Sequence, residues 1–303
     1  MEVQEGRQRR IILGYSAAFL SAMLFSIKGI FAKKAYDAGA SAEALLALRF
    51  GFTLPVFVWI ALTSRAGVAW SRLDRRDWMK IAALSLLGYV LSSALDFHGL
   101  RYLSVGMERI ILYIHPTMVV ILSAWILKRR LRPATGVALV LSYAGLALCF
   151  SSEVRITDAH SLLIGGLLVF AAAFNYALFL LGAENAAPRV GMHRLTALGM
   201  ISSAVVFGGH AFVLEGAGLF HLPAAIYGWA LLMALLSTVL PVFLFGVGMR
   251  ILGASRLSVA SMAGPVAVLP LAALMLGEPA GWAQWGGFAL TLAGGMILTR
   301  QKR

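Results

Sequence analysis

From Ile11 to Thr299 the chain passes through ten long apolar stretches separated by short polar breaks, and any fold must accommodate that alternation. About 20 apolar residues in a helix are enough to cross the roughly 30 Å hydrocarbon core of a bilayer. Composition agrees: 60% of residues are hydrophobic and 13% charged, against about 45–50% and about 25% in soluble domains. No water-soluble fold of this length can hide so much apolar surface. The expected fold is therefore an all-α membrane protein with ten transmembrane helices. The first five are Ile11–Ala32, Ala42–Ser64, Trp78–Leu100, Gly106–Leu127 and Ala134–Ser151. The second five are Ser161–Gly182, Leu195–Leu214, Ala225–Met249, Leu257–Leu276 and Gln284–Thr299.

The net charge is +13, and the distribution of its Lys and Arg among the loops sets the orientation. Cytoplasmic loops hold the excess of Lys and Arg. One side of the ten-helix arrangement collects 19 of the 26 basic residues, and the other only Lys33, Lys34, Arg101 and Arg155. Both termini are expected in the cytoplasm, which suits an even number of spans. Because the basic residues lie in short loops, the charge reads as an insertion signal and nucleic acid is not an expected partner. The basic start, Arg7, Arg9 and Arg10, resembles a signal peptide, but the apolar run that follows is too long and lacks a small-residue cleavage site; it is expected to stay as the first helix. Cys149, the single cysteine, excludes a disulfide framework and reads as a packing residue. No HExxH, GxSxG, P-loop or paired-cysteine pattern occurs, so neither an enzyme nor a cofactor or metal site is expected.

The chain repeats itself at an offset of 149. Gly99, Arg101, Leu103, Pro116 and Ala124 fall on Gly248, Arg250, Leu252, Pro265 and Ala273; Ala134, Leu141, Ala144 and Gly145 fall on Ala283, Leu290, Ala293 and Gly294. The units are residues 11–151 and 161–300. Five helices is an odd number, so the second copy must enter the bilayer from the opposite face. Inverted repeats of this kind characterise transporters that expose a central site alternately to the two faces. Pro116 and Pro265, paired by the repeat, are expected to kink matching helices.

At the residues GLRYLSVGMERIILYIHPTMVVILSAWILKRRLRP the sequence resembles the fourth-helix signature of the drug/metabolite transporter superfamily, EamA family. The copy GMRILGASRLSVASMAGPVAVLPLAALMLGEP is similar, with Gly277 and Glu278 at the family's Gly-Glu pair. Leu48, Arg49 and Phe50 resemble its Leu-Arg-Phe element. The first copy departs from the pattern, with Lys128 and Arg129 where Gly-Glu is usual. The resemblance implies ten helices in a 5 + 5 inverted arrangement and an exporter of amino acids or similar metabolites in a bacterial cytoplasmic membrane. Export of cationic drugs is the alternative.

Ionisable residues inside a span cost roughly 2.5–3.5 kcal/mol at a helix centre on insertion scales, so each is a candidate for function. These are Lys28, Arg49, Asp96, His98, Glu108, Arg109 and His115, most of them in the outer half of the bilayer. Pairing of Lys28 or Arg49 with Asp96 or Glu108 would offset desolvation. Asp96, Glu108 or His115 could couple transport to protons. Asp96, His98 and Glu108 together leave an intramembrane enzyme as a further alternative. Tyr89, Tyr113, Asn175 and Tyr176 are expected to line a central cavity for an organic solute, while Trp59, Trp70, Trp78, Trp229, Trp282 and Trp285 read as an interfacial belt. The offset places Ala177, Leu198, Phe245, Val247, Leu257 and Ser258 opposite Lys28, Arg49, Asp96, His98, Glu108 and Arg109. The embedded charge thus belongs to the first half, and the expected transporter has a polar outer vestibule and an apolar inner gate.

Overall fold

The computed structural model describes residues 2–64, 67–126, 128, 133–153, 158–261, 263–278 and 281–300. The basic residues Arg65, Arg129, Arg130, Arg132, Arg155, Lys302 and Arg303 lie outside this set, as do the side chains of Pro116, Leu257, Ser258 and Pro265. The described residues form helices and connecting turns, with no strand among them. In hydrocarbon every backbone N–H and C=O must be satisfied within the segment, and a helix does this for an apolar run.

The helices are α1 (Glu2–Ser26), α2 (Lys28–Asp37), α3 (Ala42–Thr63), α4 (Arg75–Ser85), α5 (Ser92–Leu100), α6 (Val105–Leu112) and α7 (His115–Ile126). Then come α8 (Pro133–Glu153), α9 (Ala159–Val190), α10 (Met192–Glu215), α11 (Ala224–Ala234), α12 (Leu240–Ser261), α13 (Ala263–Leu276) and α14 (Trp282–Arg300). Two π-helical segments, Leu86–Leu91 and Leu235–Val239, join α4 to α5 and α11 to α12. Among the described residues seven stretches are long and apolar enough to cross a membrane: Ile11–Asp37, Ala42–Thr63, Arg75–Leu100, Val105–Ile126, Ala159–Val190, Met192–Phe220 and Ala224–Gly248. The apolar part of α8 within the described residues is shorter, Val140–Cys149.

Local sequence sets the helix starts. The side chains of Ser41, Asp74, Ser104 and Asp158 each accept a hydrogen bond from a first-turn N–H, and Asp74 with Asp77 forms a reciprocal capping box. Several expected boundaries move. The first helix continues past Ala32 to Asp37, taking Lys33 and Lys34 into α2 rather than a loop, because only Ile27 interrupts the run. The sixth passes Gly182 and Pro188 to end at Val190. The expected break between the eighth and ninth helices, at Arg250–Arg256, is absent: that segment has no proline and α12 runs through it to Ser261. The proline pair also takes another form. Pro116 is the second residue of α7 and Pro265 the third of α13, first-turn positions where the missing N–H breaks no intrahelical bond. The bend near Pro116 is a turn at Tyr113–Ile114 between α6 and α7.

Packing is apolar outside and close inside. Large side chains stand exposed all around the bundle, among them Leu62, Trp125, Val213, Leu274 and Trp282, as a surface solvated by lipid requires. Between helices, small residues let backbones approach. α8 lies along α14, α3 along α10, α1 along α12 and α5 along α9. A Cβ on Gly287 would fall 2.2 Å from Cys149 Sγ and 2.4 Å from the Gly145 carbonyl oxygen. Beside them Thr291 and Ser142, 149 residues apart, meet through the Thr291 hydroxyl and the Ser142 carbonyl. The π segments also begin 149 residues apart, at Leu86 and Leu235.

A Gly287→Val chain is therefore expected to lose about 1–3 kcal/mol of stability through overpacking. Gly51→Ala, where an added Cβ meets nothing within 4 Å, should stay within about 1 kcal/mol of the parent. Thermal unfolding in detergent compares the two; equal midpoints would show that the α8–α14 contact does not limit stability.

Candidate functional site

Four helices deliver charged side chains to one place. Lys28 begins α2 just after the interruption at Ile27, Asp96 lies on α5, and Glu108 and Arg109 lie in α6 behind the Ser104 cap. Gly29 makes the approach possible: a Cβ there would stand 3.0 Å from Val105 Cγ1 and 3.5 Å from Glu108 Oε2. Lys28 Nζ pairs directly with Asp96 Oδ2 and lies 3.7 Å from Glu108 Oε1. Arg109 Nε lies 3.0 Å from Glu108 Oε2. Glu108 is fully buried, and Asp96 and Arg109 nearly so. An uncompensated charge at this depth is costly, and each member here offsets another's desolvation. The proximity of Glu108 to a helix start does not bring it to interfacial water.

Arg49, from α3, joins the group differently. Its guanidinium carbon lies 5.0 Å from the ring centre of Phe50 and 5.2 Å from that of Phe97. Lys28 Nζ is 5.5 Å from the same Phe97 ring. Arg49 Nε donates to Thr238 Oγ1 at 3.2 Å, in the second π segment. Among the described residues no carboxylate lies within ion-pair distance of it, so the expected Arg49 partnership with Asp96 or Glu108 is not formed. His98 turns away from this group and meets Glu43, Nε2 to Oε1 at 3.3 Å.

The aromatic candidates form a second cluster, linked by ring contacts. Tyr89 meets Phe179 edge-on at 5.1 Å, Phe179 meets Tyr176 at 5.7 Å, Tyr176 meets His115 at 5.4 Å, and His115 meets Tyr113 at 6.3 Å. Gly88 and Gly199 make room for Phe179 and Tyr89. The Tyr89 hydroxyl bonds Thr196 Oγ1 at 3.1 Å, and His115 Nδ1 is 2.8 Å from the Leu112 carbonyl oxygen. Asn175 instead donates to the Ala171 carbonyl of its own helix at 2.8 Å. The tryptophans divide. Trp59, Trp78 and Trp282 are exposed at helix ends, but Trp229 stacks on Phe31 at 6.0 Å and Trp285 packs against the Leu103–Phe288 core, where they serve packing.

The offset partners of the charged group lie in apolar surroundings where they are described. Ala177 is buried with Ile114, Met118 and Leu181, and Leu198 packs against Leu84, Phe179 and Leu195.

Three further contacts have partners that the sequence does not name, although Glu278 itself stands in the Gly-Glu pair. Glu278 accepts the Val105 N–H through both carboxylate oxygens, at 2.9 and 3.1 Å, and so ties the end of α13 to the start of α6. At the other end of the bundle Arg189 pairs with Asp77 at 2.5 Å and donates to the Arg72 carbonyl at 3.0 Å. There Gly67, at φ +80, lies so close to the Val190 carbonyl that a Cβ would fall 2.4 Å from it. Arg194 donates to the carbonyls of Ser64 and Val68, which fastens the connection after α3 to the junction of α9 and α10.

The comparisons with known proteins agree with this architecture. The profile of the EamA-like transporter family matches the chain twice, over residues 12–151 and 163–300. The "Uncharacterized transporter YcbK" of Bacillus subtilis (strain 168) is 28% identical over 287 residues, covering 93% of this chain and 91% of that protein. The "Uncharacterized transporter YcxC" of the same organism is 25% identical over 293 residues, covering 92% and 90%. A crystal structure superposes with a TM-score of 0.63 at 18% identity, over 94% of this chain and 95% of that one, a likeness of fold. These relatives are described as transporters, not enzymes. The protein belongs to the EamA-like transporter family and is an integral membrane transporter.

Proposed function

We propose that the protein is a secondary transporter that exports amino acids or similar small metabolites across a bacterial cytoplasmic membrane by alternating access. In this reading ten transmembrane helices form two inverted five-helix repeats, with both termini in the cytoplasm. The observation that carries it is the buried Lys28–Asp96–Glu108–Arg109 group, a polar centre inside an apolar bundle whose offset counterpart is apolar. The 149-residue spacing of the π segments, the Ser142–Thr291 contact and the double family match support the repeat arrangement. The Arg189–Asp77 pair and the Arg194 contacts suit a closed gate at the end opposite the charged group.

Export of cationic drugs fits less well, since Lys28, Arg49 and Arg109 outnumber Asp96 and Glu108 and would repel a cation. An intramembrane enzyme using Asp96, His98 and Glu108 lacks support as well: His98 faces Glu43, while the two carboxylates engage Lys28 and Arg109.

Counterflow in proteoliposomes over amino acids, nucleosides, vitamins and cationic dyes tests the transport reading, which fails if nothing in the panel moves. Lys28→Ala leaves Asp96 without its lysine and is expected to reduce amino-acid flux at least tenfold; full flux would remove the charged group from the pathway. In a Cys149→Ala background, Lys34→Cys is expected to react with an impermeant maleimide from outside cells and Arg76→Cys only after lysis; the reverse pattern inverts the topology. If Asp96 and Glu108 exchange protons during transport, an acidic exterior should speed efflux from loaded vesicles and Asp96→Asn should remove the acceleration. A rate indifferent to the gradient would make transport facilitative.

A further inference from the structure

Arg49 and Arg194 are both buried arginines without a carboxylate within ion-pair distance among the described residues, yet their guanidinium groups are used differently. Arg194 spends Nε and Nη2 on the Ser64 carbonyl and Nη1 on the Val68 carbonyl, and its charge lies 4.7 Å from the Trp70 ring centre. It is satisfied by backbone. Arg49 donates only through Nε, to Thr238. Its two terminal nitrogens, four of the five N–H donors of a guanidinium, have no hydrogen-bond acceptor among the described residues. The faces of Phe50 and Phe97 hold the charge in place without consuming those donors. Nearby, the Ser237 hydroxyl, Asp96 Oδ1 and Arg109 Nη2 are buried and make no hydrogen bond among the described residues.

The charge count points the same way. Lys28 and Arg109 are matched by Asp96 and Glu108, and Glu43 is engaged by His98. Among the described residues of this group Arg49 has no carboxylate at ion-pair distance. A guanidinium pinned by its Nε, with its terminal nitrogens free, suits a planar anion held by parallel N–H···O bonds.

We infer that Arg49 anchors the carboxylate of the transported solute, so that cargo is selected for a carboxylate rather than for an amine. The inference rests on the transport reading and narrows it: solutes lacking a carboxylate are poor cargo however well their remaining parts fit. The ring of Phe97, shared by Lys28 and Arg49, puts the anchor beside the Lys28–Asp96 pair. Carboxylate binding would then be felt by the paired charges next to it.

The test uses full-length protein in proteoliposomes and solutes in pairs that differ only at the acid: leucine and leucinamide, phenylalanine and phenylalaninamide, succinate and succinamide. In wild-type protein the carboxylate member of at least one pair is expected to exchange at least tenfold faster than its amide. Arg49→Gln should raise the KM for that acid by about ten- to hundredfold, the loss of a charge-assisted contact, and bring acid and amide together. Arg49→Lys, which keeps the charge but not the fork, should fall between. Amides moving as well as acids in the wild-type protein would overturn the inference while leaving the transport reading standing, and this comparison needs no variant to fold. An acid preference that survives Arg49→Gln would overturn the assignment to Arg49. If no solute in these pairs or in the wider panel moves, the transport reading falls and the inference falls with it.

Discussion

A charge held inside an apolar bundle must find its compensation there, and in this chain that requirement shapes the backbone around it. Lys28 meets Asp96 and Glu108 where the first span has a local irregularity at Ile27 and packs closely on α6. The helix turns irregularly at Ile27, Gly29 removes the side chain that would hold α2 away from α6, and Ser104 starts α6 so that Glu108 falls in its first turn. Glu278 then caps α6 from the far half of the sequence. The ion pairs are the visible result, but the glycine and the caps are what allow them to form. Pairing brings the cost of burial close to balance rather than supplying stability.

Stability comes from elsewhere. Lipid is as apolar as the side chains facing it, so helices associate through close backbone approach and scattered polar contacts. Gly145, Gly287 and Cys149 provide the first along α8 and α14. Ser21 donating to the Pro241 carbonyl and Ser92 to the Ala172 carbonyl provide the second. The helix ends near Gly67 and Val190 are held by Arg194–carbonyl contacts and by the Arg189–Asp77 ion pair.

What the sequence made legible follows from what each signal depends on. Helices are legible because apolar length and breaks decide them, so α3 begins at Ala42 and α5 ends at Leu100 as the pattern requires. Embedded charge is legible because it is rare: Lys28, Asp96, Glu108 and Arg109 were singled out by residue type and depth, and the structure brings them together. Partner choice is not legible. Nothing in the spacing says that Arg49 turns to two phenylalanines and a threonine in the other half, or that His98 prefers Glu43. Those outcomes depend on which helices lie side by side. The π segments escaped for a similar reason: LLGYVL and LLSTV contain no proline, and an extra residue in a turn is a response to packing that local propensity does not encode.

The π segments also show how two halves with similar backbones come to differ in chemistry. Tyr89 and Thr238 occupy the same place in their segments, 149 residues apart, and each reaches the α3–α10 pair. Thr238 accepts from Arg49 on α3; Tyr89 bonds Thr196 and lays its ring against Gly199 on α10. One repeat position thus meets a guanidinium in the second half and packs an aromatic ring in the first. A widened turn at both places keeps the geometry matched, while the side chain decides what each segment meets. In the proposed alternating-access reading, such a pair would separate two tasks: recognition of charge where Arg49 stands, and exclusion where the Tyr89 and Phe179 rings meet edge-on.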